Sequence, residues 1–216
     1  MTLTRDVPLV PRQSALLFID VQNFSAHRDG GEFKGLDPAT FDEKYGWFFA
    51  ELETRVIPNM QAIQAACRQA GVEVMYTTIE SLTLDGRDRS LDYKITGFHV
   101  PKGAWDGKVI DQIKPQGDEI ILPKTSSSVF VSTHIDYILR NLGVKQLVLS
   151  GLVTDQCVES AIRDACDLGY LVTQVTDACL TYSQERHDNS ISAIKGYCRQ
   201  VTTAELIAEL DGSAGG

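Results

Sequence analysis

The chain has 216 residues, 43% of them hydrophobic and 23% charged, which is typical of a folded globular protein that buries a substantial core. Its 20 Lys and Arg against 29 Asp and Glu give a formal net charge of -9, and this argues against a nucleic-acid partner, because such proteins usually present a basic face. The longest apolar runs are strand-sized, and the first residues lack the apolar stretch of a secretory signal. We therefore expect no membrane partner.

In chain order, short apolar segments alternate with helical patterns. The predicted strands are apolar segments bounded by polar residues, and they cover Ser14–Asp20, Val72–Ile79, Asp118–Lys124, Gln146–Gly151, Tyr170–Val175 and Cys198–Thr203. The predicted helices cover Leu52–Ala70, a segment from a cap at Ser132 or Thr133 to Asn141, Thr154–Leu168, Ser183–Lys195 and Ala204–Leu210. This alternation predicts an α/β protein with three α/β/α layers around a mostly parallel six-stranded sheet, in a Rossmann-like arrangement.

Two long segments interrupt the alternation, namely residues 23–46 after the first strand and residues 80–117 after the second. Long excursions of this kind usually cover a binding site or form a subunit contact. The chain shows no internal repeat and no linker composition, so we expect residues 1–216 to form a single domain.

The cysteines and histidines give no metal or disulfide pattern. The five cysteines contain no CxxC pair, and the four histidines are scattered along the chain. We therefore expect no metal, no cofactor and no disulfide, and we expect a reduced protein of the cytoplasm.

Three reactive side chains follow predicted strands. Asp20 ends the first strand, Lys124 ends the third, and Cys157 lies just beyond the fourth, near the start of a helix. Parallel α/β sheets bind ligands at the carboxyl ends of their strands, so these groups should meet at one edge. The helix terminus and the Lys124 ammonium are both expected to lower the pKa of the thiol, and Asp20 could take its proton.

Each of these residues also has an ordinary structural explanation. A lone cysteine in a helix is more often a small buried hydrophobic residue than a nucleophile, and a lysine or an aspartate at a strand end is commonly solvated or caps a loop. Only the shared edge of the sheet favours the catalytic interpretation.

The segments "LLFIDVQN", "LPKTSSSVF" and "GLVTDQCVESAIRDACDLGY" together resemble the isochorismatase-like cysteine hydrolases, and the resemblance covers about residues 14–210. By this resemblance Asp20, Lys124 and Cys157 match the family's catalytic triad. The resemblance also implies a cis peptide bond between Leu152 and Val153, and an oxyanion hole formed by the N–H groups of Val153 and Cys157. It further implies a homodimer or a homotetramer.

The resemblance favours an amidohydrolase that cleaves a C–N bond of a small polar amide through a thioester, with ureides and carbamoyl compounds as the favoured substrates. Nicotinamidases carry an Asp-x-His pair after the second strand, where this chain has Glu80 and no histidine, so a nicotinamidase-type enzyme is a weaker alternative. True isochorismatases lack the nucleophilic cysteine. A non-catalytic binding protein with the same fold also stays open.

Other α/β enzymes are disfavoured by missing motifs. The chain has no GxGxxG after its first strand, no DxD at Asp20 and no GxSxG.

Substrate contacts are expected from residues near the strand ends, namely Gln22, Asn23, Phe24, Glu80 and Tyr182. Each has a structural alternative. Gln22 and Asn23 could hydrogen-bond the turn, Glu80 could pair with Arg87 or Arg89, and Tyr182 could pack under a loop.

Overall fold

The computed structural model describes residues 3–213. Within them, six parallel strands form one sheet in the order β3-β2-β1-β4-β5-β6. The strands are β1 (Ser14–Ile19), β2 (Glu73–Ile79), β3 (Ile120–Lys124), β4 (Gln146–Leu152), β5 (Leu171–Leu180) and β6 (Arg199–Val201). The predicted fold class is confirmed, and all of these strands are parallel.

Helices cover both faces of the sheet. They are α1 (Asn23–Ala26), α2 (Pro38–Glu51), α3 (Ile57–Ala70), α4 (Leu91–Thr96), α5 (Val129–Ser132), α6 (Ile135–Asn141), α7 (Glu159–Asp167), α8 (Gln184–Ile194) and α9 (Thr203–Ser213). No helix within residues 3–213 combines the length and the apolar character that a bilayer span requires.

The alternation of side chains along β1 explains the three layers. Leu16 and Phe18 point to one face, where they join a buried core with residues of α2, α3 and α9. Ala15, Leu17 and Ile19 point to the other face and pack with residues of α6 and α7. A strand that is apolar on both faces needs helices on both sides, because each face must be removed from water.

Several predicted boundaries are wrong. The helix predicted from Leu52 belongs to a longer helical stretch that begins at Pro38 and passes through a π-helical turn at Leu52–Val56, so residues 38–46 are not part of an irregular excursion. Strand β5 continues to Leu180, well past the predicted end, because it runs through a register shift opposite β4.

The predicted helix ending at Asn141 is divided in two. Ser128 caps α5 by accepting a hydrogen bond from the Phe130 N–H, and α6 begins only after His134. Thr133 still accepts a hydrogen bond from the N–H of Ile135, the first residue of α6. It therefore makes a capping contact, although it lies one residue before the N-cap, His134.

The segment 80–117 returns across the carboxyl ends of the strands. It is held there by backbone hydrogen bonds, among them Ser90 N–H to the Thr125 carbonyl beside the end of β3. Its short helix α4 is capped by Ser90, whose side chain accepts a hydrogen bond from the Tyr93 N–H. This segment therefore forms a lid over the sheet edge at which ligands bind in parallel α/β proteins.

Candidate active site

Three strand ends bring Asp20, Lys124 and Cys157 together. Asp20 directly follows β1, Lys124 is the last residue of β3, and Cys157 lies in the π-helical turn Thr154–Val158 after β4. All three are buried, with Asp20 2%, Lys124 0% and Cys157 4% exposed. An aspartate and a lysine are almost never buried to this degree unless they are paired, so the pairing of these two is required by their burial.

The Lys124 ammonium is the centre of the cluster. Its Nζ lies 2.8 Å from Asp20 Oδ2 and 3.4 Å from Cys157 Sγ, and it donates to the Ser126 carbonyl at 2.8 Å. The other carboxylate oxygen of Asp20 accepts a hydrogen bond from the Thr77 hydroxyl at 2.8 Å. A carboxylate, an ammonium and a sulfur atom thus stand within direct reach of one another.

Asp20 has a special backbone conformation, since its φ of 53° lies in the left-handed region. Residues other than glycine are uncommon there, and aspartate is among those that tolerate it best. The Asp20 N–H still donates to the Thr77 carbonyl at 3.1 Å, so the residue leaves the strand while it remains attached to β2. This turn directs the carboxylate toward Lys124.

The expected lowering of the thiol pKa is wrong for this closed site. Burial raises the pKa of Cys157 to about 12, the ammonium of Lys124 opposes that rise, and the negative charge of Asp20 adds to it. The main reason is burial, because the buried sulfur loses the water that would stabilise a thiolate, and the carboxylate of Asp20 adds a smaller repulsion. The sulfur is therefore held as a thiol that needs a base.

Lys124 keeps its proton. Burial alone disfavours the ammonium, but attraction from Asp20 and Cys157 outweighs burial and raises the pKa of Lys124 above its usual range. The group is consequently a fixed positive charge next to the sulfur.

Tyr93 is a fourth member of the cluster that the sequence analysis missed. Its hydroxyl accepts a hydrogen bond from Lys124 Nζ at 3.0 Å and lies 3.7 Å from Cys157 Sγ. Burial raises the pKa of Tyr93, although Lys124 opposes this, so the hydroxyl keeps its proton. Since one lone pair already faces Lys124, the proton is free to point at the sulfur.

The peptide bond between Leu152 and Val153 is cis, as the resemblance implies. It lies directly after β4, and the Val153 carbonyl accepts hydrogen bonds from the N–H groups of Gln156 and Val158. These bonds fold the turn so that Val153 and Cys157 line the same cavity.

That cavity lies against the sulfur and is small. Its volume is about 20 Å³, which is room for about one water molecule. Its lining residues are Asp20, Ser25, Glu32, Ile79, Phe98, Leu152, Val153, Gln156, Cys157 and Tyr182.

A larger cleft of about 500 Å³ lies outside this cavity. Phe24 lines the cleft and packs edge-on against Phe98 at 5.7 Å between ring centroids. Phe98 and Glu32 line both spaces, so they stand between the outer cleft and the nucleophile.

Of the predicted substrate contacts, the structure brings Tyr182 to the inner cavity and Phe24 to the outer cleft. Gln22 instead exchanges hydrogen bonds with the backbone of Ile79, and Asn23 donates to the Trp105 carbonyl at 3.0 Å. These two amides join the start of the segment after β1 to the lid.

Glu80 lies apart from the cavity. Its carboxylate accepts a hydrogen bond from the Gly103 N–H at 2.6 Å, within the lid itself. The ion pair considered as an alternative is not formed either, because Arg87 pairs with Asp85 while Arg89 donates to the carbonyls of Gly86 and Phe98.

Glu32 is the second cavity residue that sequence reasoning missed. It lies in the short turn Gly31–Phe33, and its Oε1 accepts a hydrogen bond from the Tyr182 hydroxyl. Burial raises the pKa of Glu32 to about 7, although the bond from Tyr182 opposes that rise. In the sequence, both Glu32 and Tyr93 are single polar residues within polar segments, and only the long excursions themselves indicated where to look.

No group of three or more His, Cys, Asp or Glu side chains suited to hold a metal ion occurs among the residues that the structure describes.

Residues 14–206 match the family model of the isochorismatase domain. The chain belongs to the isochorismatase family. It is also 33% identical over 184 residues to the ureidoacrylate amidohydrolase RutB of Klebsiella variicola, a match that covers 78% of this chain and 73% of that protein.

Solved structures of the isochorismatase family share the fold. A cysteine hydrolase from Pseudomonas syringae pv. phaseolicola superposes with a TM-score of 0.80 at 24% identity and covers 96% of each chain. The N-carbamoylsarcosine amidase from Thermoplasma acidophilum gives a TM-score of 0.66 at 26% identity, covering 88% of this chain and 96% of that one.

Proposed function

We propose that this protein is a cysteine amidohydrolase that cleaves a C–N bond of a small polar amide through a thioester on Cys157. The single observation that carries this proposal is the buried cluster of Asp20, Lys124 and Cys157 against a small cavity. The relatives named as a ureidoacrylate amidohydrolase and an N-carbamoylsarcosine amidase favour a ureide or a carbamoyl compound as the substrate class.

In the first half of the reaction, the thiol proton of Cys157 passes to Asp20 as the sulfur forms a bond to the substrate carbonyl carbon. This transfer leaves the net charge of the buried cluster unchanged, because the new thiolate next to Lys124 replaces the carboxylate. Such an internal transfer avoids the cost of charging a buried thiol without a compensating change.

The carbonyl oxygen then carries the negative charge. We assign the N–H groups of Val153 and Cys157 to hold it, since both residues line the cavity. Loss of one donor of this kind costs about 2.7–4 kcal/mol of transition-state stabilisation. The C–N bond breaks, Asp20 returns the proton to the departing nitrogen, and ammonia or an amine leaves.

In the second half, water attacks the thioester. Asp20 takes a proton from that water, the C–S bond breaks, and the sulfur regains its proton from Asp20. The cycle restores the enzyme and releases the acid.

The test is ammonia release from a panel of ureides, carbamoyl acids, nicotinamide and aliphatic amides. We expect turnover of at least one ureide or carbamoyl compound and none by Cys157→Ala. Cys166→Ala, which removes a partly exposed cysteine outside the cavity, is the matched control and should retain activity. If Cys157→Ala keeps about a tenth or more of the wild-type kcat while folded, the covalent mechanism is overturned.

We further propose that the chain forms a single domain and acts in the cytoplasm as a homodimer or a homotetramer. Five free cysteines suit a reducing compartment. The lid presents apolar side chains that could form a subunit contact, for Leu84 and Ile95 are each 75% exposed. A strict monomer in sedimentation, or recovery of the protein outside the cytoplasm in fractionation, would contradict these assignments.

A further inference from the structure

Glu32 places a second carboxyl group in the wall of the cavity, opposite the machinery assigned to the reaction. It lines the inner cavity together with Cys157 and also lines the outer cleft. The carboxyl group of Glu32 accepts a hydrogen bond from the Tyr182 hydroxyl, and this bond fixes the orientation of the carboxyl group. A carboxyl group so placed meets whatever part of the substrate extends from the scissile carbonyl.

The side chains that line the inner cavity include no cation to pair with a substrate carboxylate. Among the described residues that line it, the ionisable groups are the carboxyls of Asp20 and Glu32, the thiol of Cys157 and the phenol of Tyr182, with no Lys, Arg or His. Lys124 lies behind the sulfur, and its ammonium is already engaged by Asp20 and the Ser126 carbonyl. A substrate carboxylate would therefore enter an acidic cavity without a free cation.

The acidic character of the wall also persists at neutral pH. Burial raises the pKa of Glu32 to about 7, so both of its forms are present there. The ionised form accepts hydrogen bonds and repels anions, and the neutral form still offers a carbonyl oxygen as acceptor. The ionised form, which predominates above pH 7, suits an N–H group and disfavours a carboxylate.

We propose that Glu32 is a specificity-determining carboxyl group that accepts a hydrogen bond from an N–H group on the distal part of the substrate, so that the site takes uncharged or cationic ureides and rejects ureido acids with a free carboxylate. This inference rests on the proposed amidohydrolase function. It departs from what the name of the ureidoacrylate amidohydrolases would suggest, because ureidoacrylate carries a carboxylate.

The outer cleft does contain a lysine, and this residue supplies the opposing model. Lys34 is an exposed residue of the outer cleft, two positions after Glu32. If the substrate were a ureido acid, Lys34 would be the group to hold its carboxylate. Substitutions at Glu32 and Lys34 therefore separate the two models.

The first experiment compares three matched ureas: N-carbamoyl-β-alanine, its neutral amide, and the cationic 3-aminopropylurea. We expect wild-type kcat/KM for the neutral and cationic compounds to exceed that for the acid by about tenfold or more, since like charges in a buried site disfavour binding. Glu32→Gln should remove most of this preference, Glu32→Asp should keep part of it, and Lys34→Gln should leave it unchanged.

The second experiment measures binding without turnover. Isothermal titration of the three ureas into Cys157→Ala should show the same order of affinities, and adding Glu32→Gln to that variant should remove most of the difference between them. If the wild type turns over none of the three ureas while Cys157→Ala binds them in this order, only the amidohydrolase proposal is overturned. A carboxylated urea that binds as tightly as its amide, an order unchanged by Glu32→Gln, or no binding of the amide would overturn the role of Glu32.

Discussion

The two walls of the cavity are built in different ways. Asp20, Lys124 and Cys157 stand at the ends of three strands of one sheet, so their relative positions follow from the pairing register of β1, β3 and β4 with their neighbours. We call these three residues the sheet wall. Glu32, which lines the cavity, and Tyr93, which contacts Lys124 and Cys157, come from the segments after β1 and β2, and we call them the segment wall. Side-chain hydrogen bonds hold these two residues, for Glu32 accepts one from Tyr182 and Tyr93 accepts one from Lys124.

From this difference we infer that the residues at the strand ends carry out the reaction and that the residues of the segments select the substrate. A strand end is fixed by many backbone hydrogen bonds, and a shift of one residue would turn each side chain to the other face. The segments above it can change side chains without disturbing the sheet. We therefore expect substitutions on the sheet wall to abolish the chemistry, and substitutions on the segment wall to alter substrate choice, pH response or rate more moderately.

The largest effect should follow from Asp20→Asn. Loss of the base leaves the buried thiol with no group to receive its proton, and kcat should fall about a thousandfold. Asparagine tolerates the left-handed backbone of this position, so the fold should survive. Asp29→Asn, the same chemical change at an exposed site, is the control and should leave kcat within about twofold. A fall of less than about tenfold would show that another group acts as base.

The next effect concerns stability and tests whether the segment wall is as buried as the sheet wall. Burial raises the pKa of Glu32 from 4.5 to about 7, so the folded state holds the proton more tightly than the unfolded chain. The contribution of this group to stability is complete below about pH 4.5 and is lost as pH rises through 7. The loss amounts to at most about 3 kcal/mol.

Glu32→Gln cannot titrate and should lack this loss. Urea unfolding of both proteins between pH 4.5 and pH 8 checks this, through the difference in their free energies of unfolding. Parallel curves for the two proteins across this range would mean that the carboxyl group of Glu32 is solvated.

A smaller effect is expected from Tyr93→Phe, which removes the hydroxyl that contacts Lys124 and Cys157. Hydrogen bonds to charged groups contribute about 1.5–3 kcal/mol, so kcat/KM should fall by about tenfold or somewhat more. The pH at which iodoacetamide reacts with Cys157 should also rise, because the hydroxyl favours the thiolate. Tyr137→Phe, at a tyrosine that is 70% exposed, is the control. An unchanged alkylation profile would limit Tyr93 to packing.

The last prediction is that EDTA leaves activity unchanged, because the proposed steps use protein groups alone. The measurement is ammonia release after dialysis against EDTA, with and without added Zn²⁺ or Mg²⁺. Loss of activity on chelation and its recovery with a metal would show that the sheet wall does not act by itself.

The sheet wall could be predicted from the sequence and the segment wall could not. Apolar runs that stop at Asp20 and Lys124 mark strand ends, and parallel strands bring such ends to one edge. The places of Glu32 and Tyr93 depend instead on how two long segments fold back over that edge, and neither segment has a period that specifies this.

The predicted direction of the pKa shift of Cys157 is wrong for a related reason. A helix terminus and a lysine can be recognised in a sequence, whereas the degree of burial of Cys157 depends on the lid that closes over it. The shift caused by burial exceeds the opposing effect of Lys124, so the net direction reverses.

The size of the inner cavity has a consequence for the fate of the thioester. The space beside the sulfur holds about one water molecule, the reactant that the second half of the reaction consumes. Hydroxylamine, which is little larger than water, should therefore compete with water for the acyl group. Larger acceptors would be limited to those that fit the space left by the departing amine.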